Sequence, residues 1–296
     1  MMKIAIIGIG RMGGALALTL SKVGYIVETL VTKDVPKTSA IADRILPTPR
    51  VILFKELQKL ETPDLIFITT QDDNVAKVAI ELAKYINSEC TVLHTSGSLS
   101  SEILSPVKEK SCHVGSLHPL VAISDPQMGM ENFKNAFFCL EGDEEALNIC
   151  KRIVTSLQGH SFFIPTSSKP LYHASAVMTA GHLVTLFQIA IKMLGECGIP
   201  SDQAQKILLP LAKSVFSNLE EQSPAEALTG TFARADTETL RKHLSLMNEH
   251  ALDHIKELYL KIGLFSLDMI QSRKPHLREK IERMKAEILK DLGAKI

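Results

Sequence analysis

Neither sign of charge is in excess in this chain of 296 residues, where 33 Lys and Arg are matched by 33 Asp and Glu. No global field is therefore available to draw in nucleic acid or an anionic membrane, and any anion must be held by a local site. Cysteine is sparse too. The five residues Cys90, Cys112, Cys139, Cys150 and Cys197 lack the paired spacing that holds a metal and sit mostly in apolar runs, as expected of reduced thiols. The first residues run straight into a strand pattern without an export signal, so the expected location is the cytoplasm. The longest apolar run, Ala174 to Leu194, is broken by His182, Gln188 and Lys192, which favours a buried helix over a membrane span. Internal repeats and low-complexity linkers are also missing. Hydrophobic residues at 45% and charged residues at 22% argue against disorder.

What is present suits two domains, since one hydrophobic core rarely organises a chain of this length. Lys3 to Ile7 is a short β-branched run ending at glycine, followed by a helical pattern from Met12 to Lys22 and a second strand pattern from Ile26 to Val31. That is the size of one βαβ crossover. Strand patterns at 51–54, 65–69 and 91–94, with helical stretches at 73–85 and 100–108, continue the alternation and predict a doubly wound parallel sheet. Runs at 136–140 and 161–164, flanking a helix at 144–158, extend it. Beyond Pro165 the strand signals stop, so the expected architecture is an α/β Rossmann domain over residues 1–166 and an all-α domain over 167–296. The basic stretch from Arg273 to Lys295 reads as a packed amphipathic helix, because Leu277, Ile281, Met284, Ile288 and Leu292 recur at steps of three and four.

Gly8-Ile9-Gly10-Arg11-Met12-Gly13 is a G-x-G-x-x-G turn. Alone the pattern is common; between a predicted strand and a predicted helix it is what a pyrophosphate needs in order to sit on a helix N-terminus. Gly8, Gly10, Arg11, Met12 and Gly13 are therefore the expected cofactor contacts. An NAD site normally carries Asp or Glu at the end of the second strand, but here that end reads Val31-Thr32-Lys33. A hydroxyl followed by a cation suits a 2′-phosphate, so Thr32 and Lys33 point to NADP(H). Glu28 is the competing candidate, internal to the strand. Thr70, Thr95 and Ser96 follow later strands at the edge where dinucleotides lie, although turn chemistry alone also accounts for hydroxyls there.

Four segments carry a family resemblance: His94-Thr95-Ser96-Gly97, Gly115 to Leu120, Leu171-Tyr172-His173-Ala174, and Ala227 to Gly230 continuing through Ala233 to Asp236. With them the chain resembles Rossmann-like NADP-binding proteins with a helical C-terminal domain originally of unknown function, related to ketopantoate, pyrroline-5-carboxylate and 6-phosphogluconate-type dehydrogenases. Gly181, Thr231 and Ala235 depart from the pattern, which commonly has Asn, Pro and Gly there. The resemblance implies an NADP(H)-dependent oxidoreductase that reduces a small carboxylate-bearing carbonyl compound, with ketopantoate the most concrete substrate. An imine reductase of the pyrroline-5-carboxylate type, or a sensor that binds NADP(H) without turnover, are the alternatives. It also implies a homodimer through the helical domain.

Reduction of a carbonyl needs a proton donor beside the nicotinamide. Lys169, just before Pro170 at the start of a helix, is the leading candidate, since the positive helix end lowers its proton affinity; a surface lysine at a domain junction is the plain alternative. His173, one turn further on, is placed to donate or orient. His118, before Pro119, is a cleft-lining residue or a satisfied structural histidine. Arg234 suits a bidentate grip on a substrate carboxylate with help from Asn218, or else an ion pair with Asp236 or Glu238. His94, His113 and His118 follow no known metal spacing, so no metal is expected.

Overall fold

The central strands form because they read apolar on both faces, and the period of two then divides them between two layers of helix. In the computed structural model, which describes residues 2–61, 63–86 and 89–293, Ile4 and Ile6 of β1 (Lys3–Ile7) enter one buried cluster while Ala5 and Ile7 enter another. After β1 come α1 (Arg11–Lys22), β2 (Ile26–Thr32), α2 (Val35–Ala42), β3 (Arg50–Leu53), β4 (Leu65–Ile68), α3 (Asp72–Leu82), β5 (Thr91–His94), α4 (Ser105–Lys108), β6 (His113–Pro119), α5 (Pro126–Gly129), β7 (Phe137–Gly142), α6 (Glu144–Ser156), β8 (His160–Phe163) and α7 (Lys169–Thr179). The strands make one eight-stranded sheet in the order β3-β2-β1-β4-β5-β6-β7-β8. All neighbours are parallel except β6 and β7. The order reverses direction between β1 and β4, the switch point at which ligands bind in such sheets.

The α1 side of the sheet buries Leu16, Leu20, Phe67, Leu93, Phe138 and Ile153, and the α3 side buries Ile66, Ile68, Val75, Val78 and Val92. At the start of β5 and of β6, Cys90 and Cys112 lie Sγ to Sγ at 3.1 Å as free thiols, a juxtaposition that their sequence spacing conceals. One strand was not expected. Residues 113–119 contain Gly115, Ser116 and Pro119, which break an apolar pattern, yet they form β6 because Pro119 sits at its end, where a missing N–H is tolerated.

Helices alone follow: α8 (Gly181–Glu196), α9 (Ser201–Glu221), α10 (Pro224–Ala227), α11 (Gly230–Ala233), α12 (Thr237–Glu249), α13 (Asp253–Gln271) and α14 (Arg278–Asp291). Leu240 and Leu244 of α12, Leu260 and Leu267 of α13 and Ile281, Met284 and Ile288 of α14 make this region's own core. The helix expected from 273 to 295 is shorter, and Lys295 lies outside the described residues. Asp236 caps α12 as its sequence suggests, accepting from the Thr239 N–H at 3.1 Å.

The chain divides into compact units after Gly181, beyond the expected boundary at residue 166. The reason is Lys169, whose buried side chain ties the first turn of α7 to β6 and so to the sheet. The run from Ala174 to Leu194, expected as a buried helix, is instead two helices with exposed apolar side chains: Val184 is 70% exposed and Met178 64%. Periodicity marks such a face as apolar; it does not say whether this chain or something else covers it. By length and composition, 166–196 is also the one segment among the described residues apolar enough to cross a membrane.

Candidate active site

The turn from β1 to α1 presents backbone to one cavity. Gly8 has φ +103°, and a Cβ there would lie 2.7 Å from the Thr70 side chain. A Cβ on Gly13 would fall 2.3 Å from the Gly8 carbonyl oxygen, so the close approach of helix and strand requires glycine. Gly10, by contrast, faces open space. It caps α1 without a side-chain hydrogen bond, and the first turn holds no acidic residue, so the helix end offers its N–H groups to an anion.

This cavity of about 530 Å³ is lined by the ends of β1, β2 and β4 and by the start of α3. The expected residues Gly8, Gly10, Thr32, Lys33 and Thr70 line it, and so do Lys37, Asn74 and Lys77, which sequence reading did not single out. Lys77 lies one turn into α3 from Asp73, a spacing that no phosphate motif flags. The hydroxyl of Thr70 is buried with no partner in the chain, the kind of orphan a ligand satisfies.

Thr32 lines the cavity, but its hydroxyl is used within the turn, accepting from the Asp34 N–H at 3.0 Å and from Thr38 Oγ1 at 2.9 Å. Lys33, Lys37 and Lys77 are the cationic side chains on the wall of this cavity. Glu28 is engaged by Lys3 at 2.7 Å. Arg11 is exposed at the start of α1, and Met12 packs against the core. Neither lines the cavity, and nor do Thr95 and Ser96. Ser96 Oγ accepts from the N–H groups of Ser98 and Leu99 at 3.2 and 3.1 Å, so it shapes its own loop, the plainer of its two readings.

A second cavity, of about 430 Å³, opens at the end of β6. It is lined by residues from 118–122 and from 173–181, including His118 and His173. The two imidazoles meet edge to face with centroids 5.9 Å apart. Gly97, in the loop after β5, fits against both: a Cβ there would lie 2.7 Å from His173 Nδ1 and 2.8 Å from His118 Nε2. His118 Nδ1 is 2.6 Å from the hydroxyl of Tyr172, which packs on Phe162 of β8. Burial, His173 and Lys169 together hold the His118 pKa down at about 4, so the ring is neutral at pH 7. His173 Nδ1 is buried without a partner.

Lys169, expected as the proton donor, is 1% exposed and is absent from the described lining of this cavity. Its Nζ donates to Ser116 Oγ at 2.6 Å and lies 3.6 Å from Glu141, whose carboxylate also accepts from Ser101 N and Oγ at 2.8 and 2.6 Å. Burial lowers its proton affinity, opposed by Glu141; this cause outranks the helix end that sequence suggested. The pair is a strut that fixes α7, and with it Tyr172 and His173, to the sheet. At the end of β5 is His94, fully buried, with its pKa lowered to about 4 by burial first and Lys169 second.

In the helical unit, Asn218 is exposed on α9 and Arg234 is exposed at the end of α11. Arg234 lines a cavity with Asp236, Arg241, Lys280 and Arg283, and its charge helps to hold the Asp236 carboxyl below its usual range, after the Thr239 hydrogen bonds. Ala235 takes φ +49°, the left-handed conformation that favours glycine.

Residues 1–119 match the model of a Rossmann-like domain, and residues 136–264 that of a domain of unknown function, DUF2520. No curated protein matches the sequence. Among solved structures, a Bacteroides fragilis protein provisionally assigned as an NADP oxidoreductase is 20% identical with a TM-score of 0.72, covering 91% of this chain and 98% of its own. A Thermotoga maritima protein is 22% identical with a TM-score of 0.66, covering 92% and 99%. The 1-pyrroline-5-carboxylate reductase of Streptococcus pyogenes is 17% identical with a TM-score of 0.59, covering 96% and 98%. At these identities the likeness is one of fold.

Proposed function

We propose that this protein is an NADP(H)-dependent reductase of small carbonyl compounds. The observation that carries the reading is the first cavity: an uncapped helix end behind a glycine turn, with Lys33, Lys37 and Lys77 on the wall. The Gly8–Gly13 backbone would hold the diphosphate, the lysines would hold the 2′-phosphate, and Thr70 would satisfy its hydroxyl on the ligand. Bound NADP(H) supplies or accepts a hydride. The chain's own part is to receive the substrate in the second cavity, where His118, neutral at pH 7, and His173 would meet the reacting group beside the apolar side chains of Leu120, Val121 and Ala122. Small carboxylate-bearing 2-oxo acids, ketopantoate among them, are the first class to test.

Calorimetry with NADPH and NADH, then NADPH absorbance against 2-oxo acids and cyclic imines, tests this. Tight NADPH binding with oxidation by a panel member is expected. Retention of neither nucleotide would remove the redox reading, and NADPH binding without oxidation by any panel member would turn it into a sensor.

A homodimer in the cytoplasm is part of the same proposal. The exposed apolar side chains of α8 and α9, such as Val184, Leu211 and Phe216, form a face that a second copy would cover. Light scattering should return twice the mass of one chain, and a single-chain particle at micromolar concentration would count against it.

A further inference from the structure

One nitrogen of His118 is held by a hydrogen bond, and the consequence for the other reaches the kind of substrate the second cavity takes. The contact between His118 Nδ1 and Tyr172 Oη is 2.6 Å. That is a hydrogen bond whose direction depends on which ring nitrogen carries the proton. The phenol proton also needs an acceptor, and His118 Nδ1 is the partner the structure gives it. Burial raises the Tyr172 pKa above its usual value, so the hydroxyl keeps its proton. Tyr172 therefore donates and Nδ1 accepts, which leaves the single proton of the neutral ring on Nε2.

Resting on the reading of this cavity as the substrate site, we infer that Tyr172 is a positioning residue which holds His118 in the Nε2–H tautomer, making the cavity a hydrogen-bond donor that takes its ligand through a carbonyl or hydroxyl oxygen. A protonated imine presents N–H and finds another donor there, so the same device selects against it. Gly97 belongs to the arrangement, because any side chain at that position would push both imidazoles away. Phe162 on one side of Tyr172 and the buried Lys169 at the start of α7 keep the phenol in place.

Nitrogen-15 NMR of the full chain with labelled histidine, the His118 signals identified by their loss in His118→Asn, reads the tautomer without nucleotide or turnover. The wild-type ring should show a protonated Nε2 and an acceptor Nδ1, and Tyr172→Phe, which keeps the packing on Phe162, should lose that preference. The same variant should lower kcat/KM for a 2-oxo acid about tenfold, the worth of one hydrogen bond, while NADPH affinity is unchanged. A wild-type ring protonated on Nδ1, a tautomer indifferent to Tyr172→Phe, or faster reduction of cyclic imines than of 2-oxo acids would overturn the inference. Failure to bind NADPH would instead remove the proposed redox function and leave the tautomer result standing.

Discussion

The two cavities lie on the same edge of one sheet and are built from different materials. The first is made of backbone: a glycine turn leads into a helix end without a side-chain cap, and a Cβ on Gly13 would collide with the Gly8 carbonyl. The second is made of side chains drawn from β6, the loop after β5 and α7, with Gly97 resting against two imidazole rings. Backbone in a turn cannot step aside, whereas a ring at the end of two rotatable bonds can. The two should differ in how sharply they fail.

Gly13→Ala is expected to produce the largest effect, loss of NADPH binding by about 100-fold or more, because the helix must leave the strand that presents the phosphate site. Gly97→Ala should retain NADPH and alter only the histidine signals and turnover. Calorimetry on both variants separates the cavities, and equal loss of NADPH in the two would break the comparison. Next in size is the strut beneath the histidine cavity. Lys169→Met leaves Glu141 buried without its cation and should cost about 3–5 kcal/mol in a denaturant titration. Adding Glu141→Gln should return most of it. If Lys169→Met is as stable as wild type yet loses turnover, Lys169 is a proton donor after all and not a strut.

This contrast also sets what could be read from residues alone. The glycine turn was legible because strand, turn and helix are consecutive, and a backbone site leaves its requirements as glycines at fixed spacing. The Lys33 position was legible too, but Lys37 and Lys77 come from two different helices and meet only after β2 and β4 are placed. Tyr172 and His118 are 54 positions apart, and nothing local announces a bond between them. Lys169 was singled out for its helix end, while its burial depends on β6 and β7, the first of which is disguised by Gly115, Ser116 and Pro119. On α8, periodicity identified an apolar face without telling what lies against it.

Acid should distinguish the two cavities as well, because the histidines cluster at the second. His94 is fully buried with a pKa of about 4 against its usual 6.5. The folded state thus binds fewer protons than the unfolded one between those values. Its contribution is intact above pH 6.5 and disappears as pH falls through 4, a loss of about 3 kcal/mol. His118 shifts the same way and, lining a cavity, contributes less. His94→Phe should flatten the stability profile between pH 6.5 and 4 by about 1.4 kcal/mol per unit. An unchanged slope would mean that His94 titrates normally.

The smallest expected effect lies back in the backbone cavity, where side chains only refine what the glycines provide. On the proposed reading Lys77 would set a flexible point charge near one phosphate, so Lys77→Ala should weaken NADPH by about tenfold, or 1.4 kcal/mol, and leave NADH unaffected. Lys33→Ala should act likewise, and the two together should make the protein indifferent between the nucleotides. Because the lysines are solvated, the NADPH preference should also shrink as salt rises. If instead both variants lose NADPH and NADH equally, these lysines serve the shared diphosphate, and discrimination must come from backbone after all, which would erase the division of labour within that cavity.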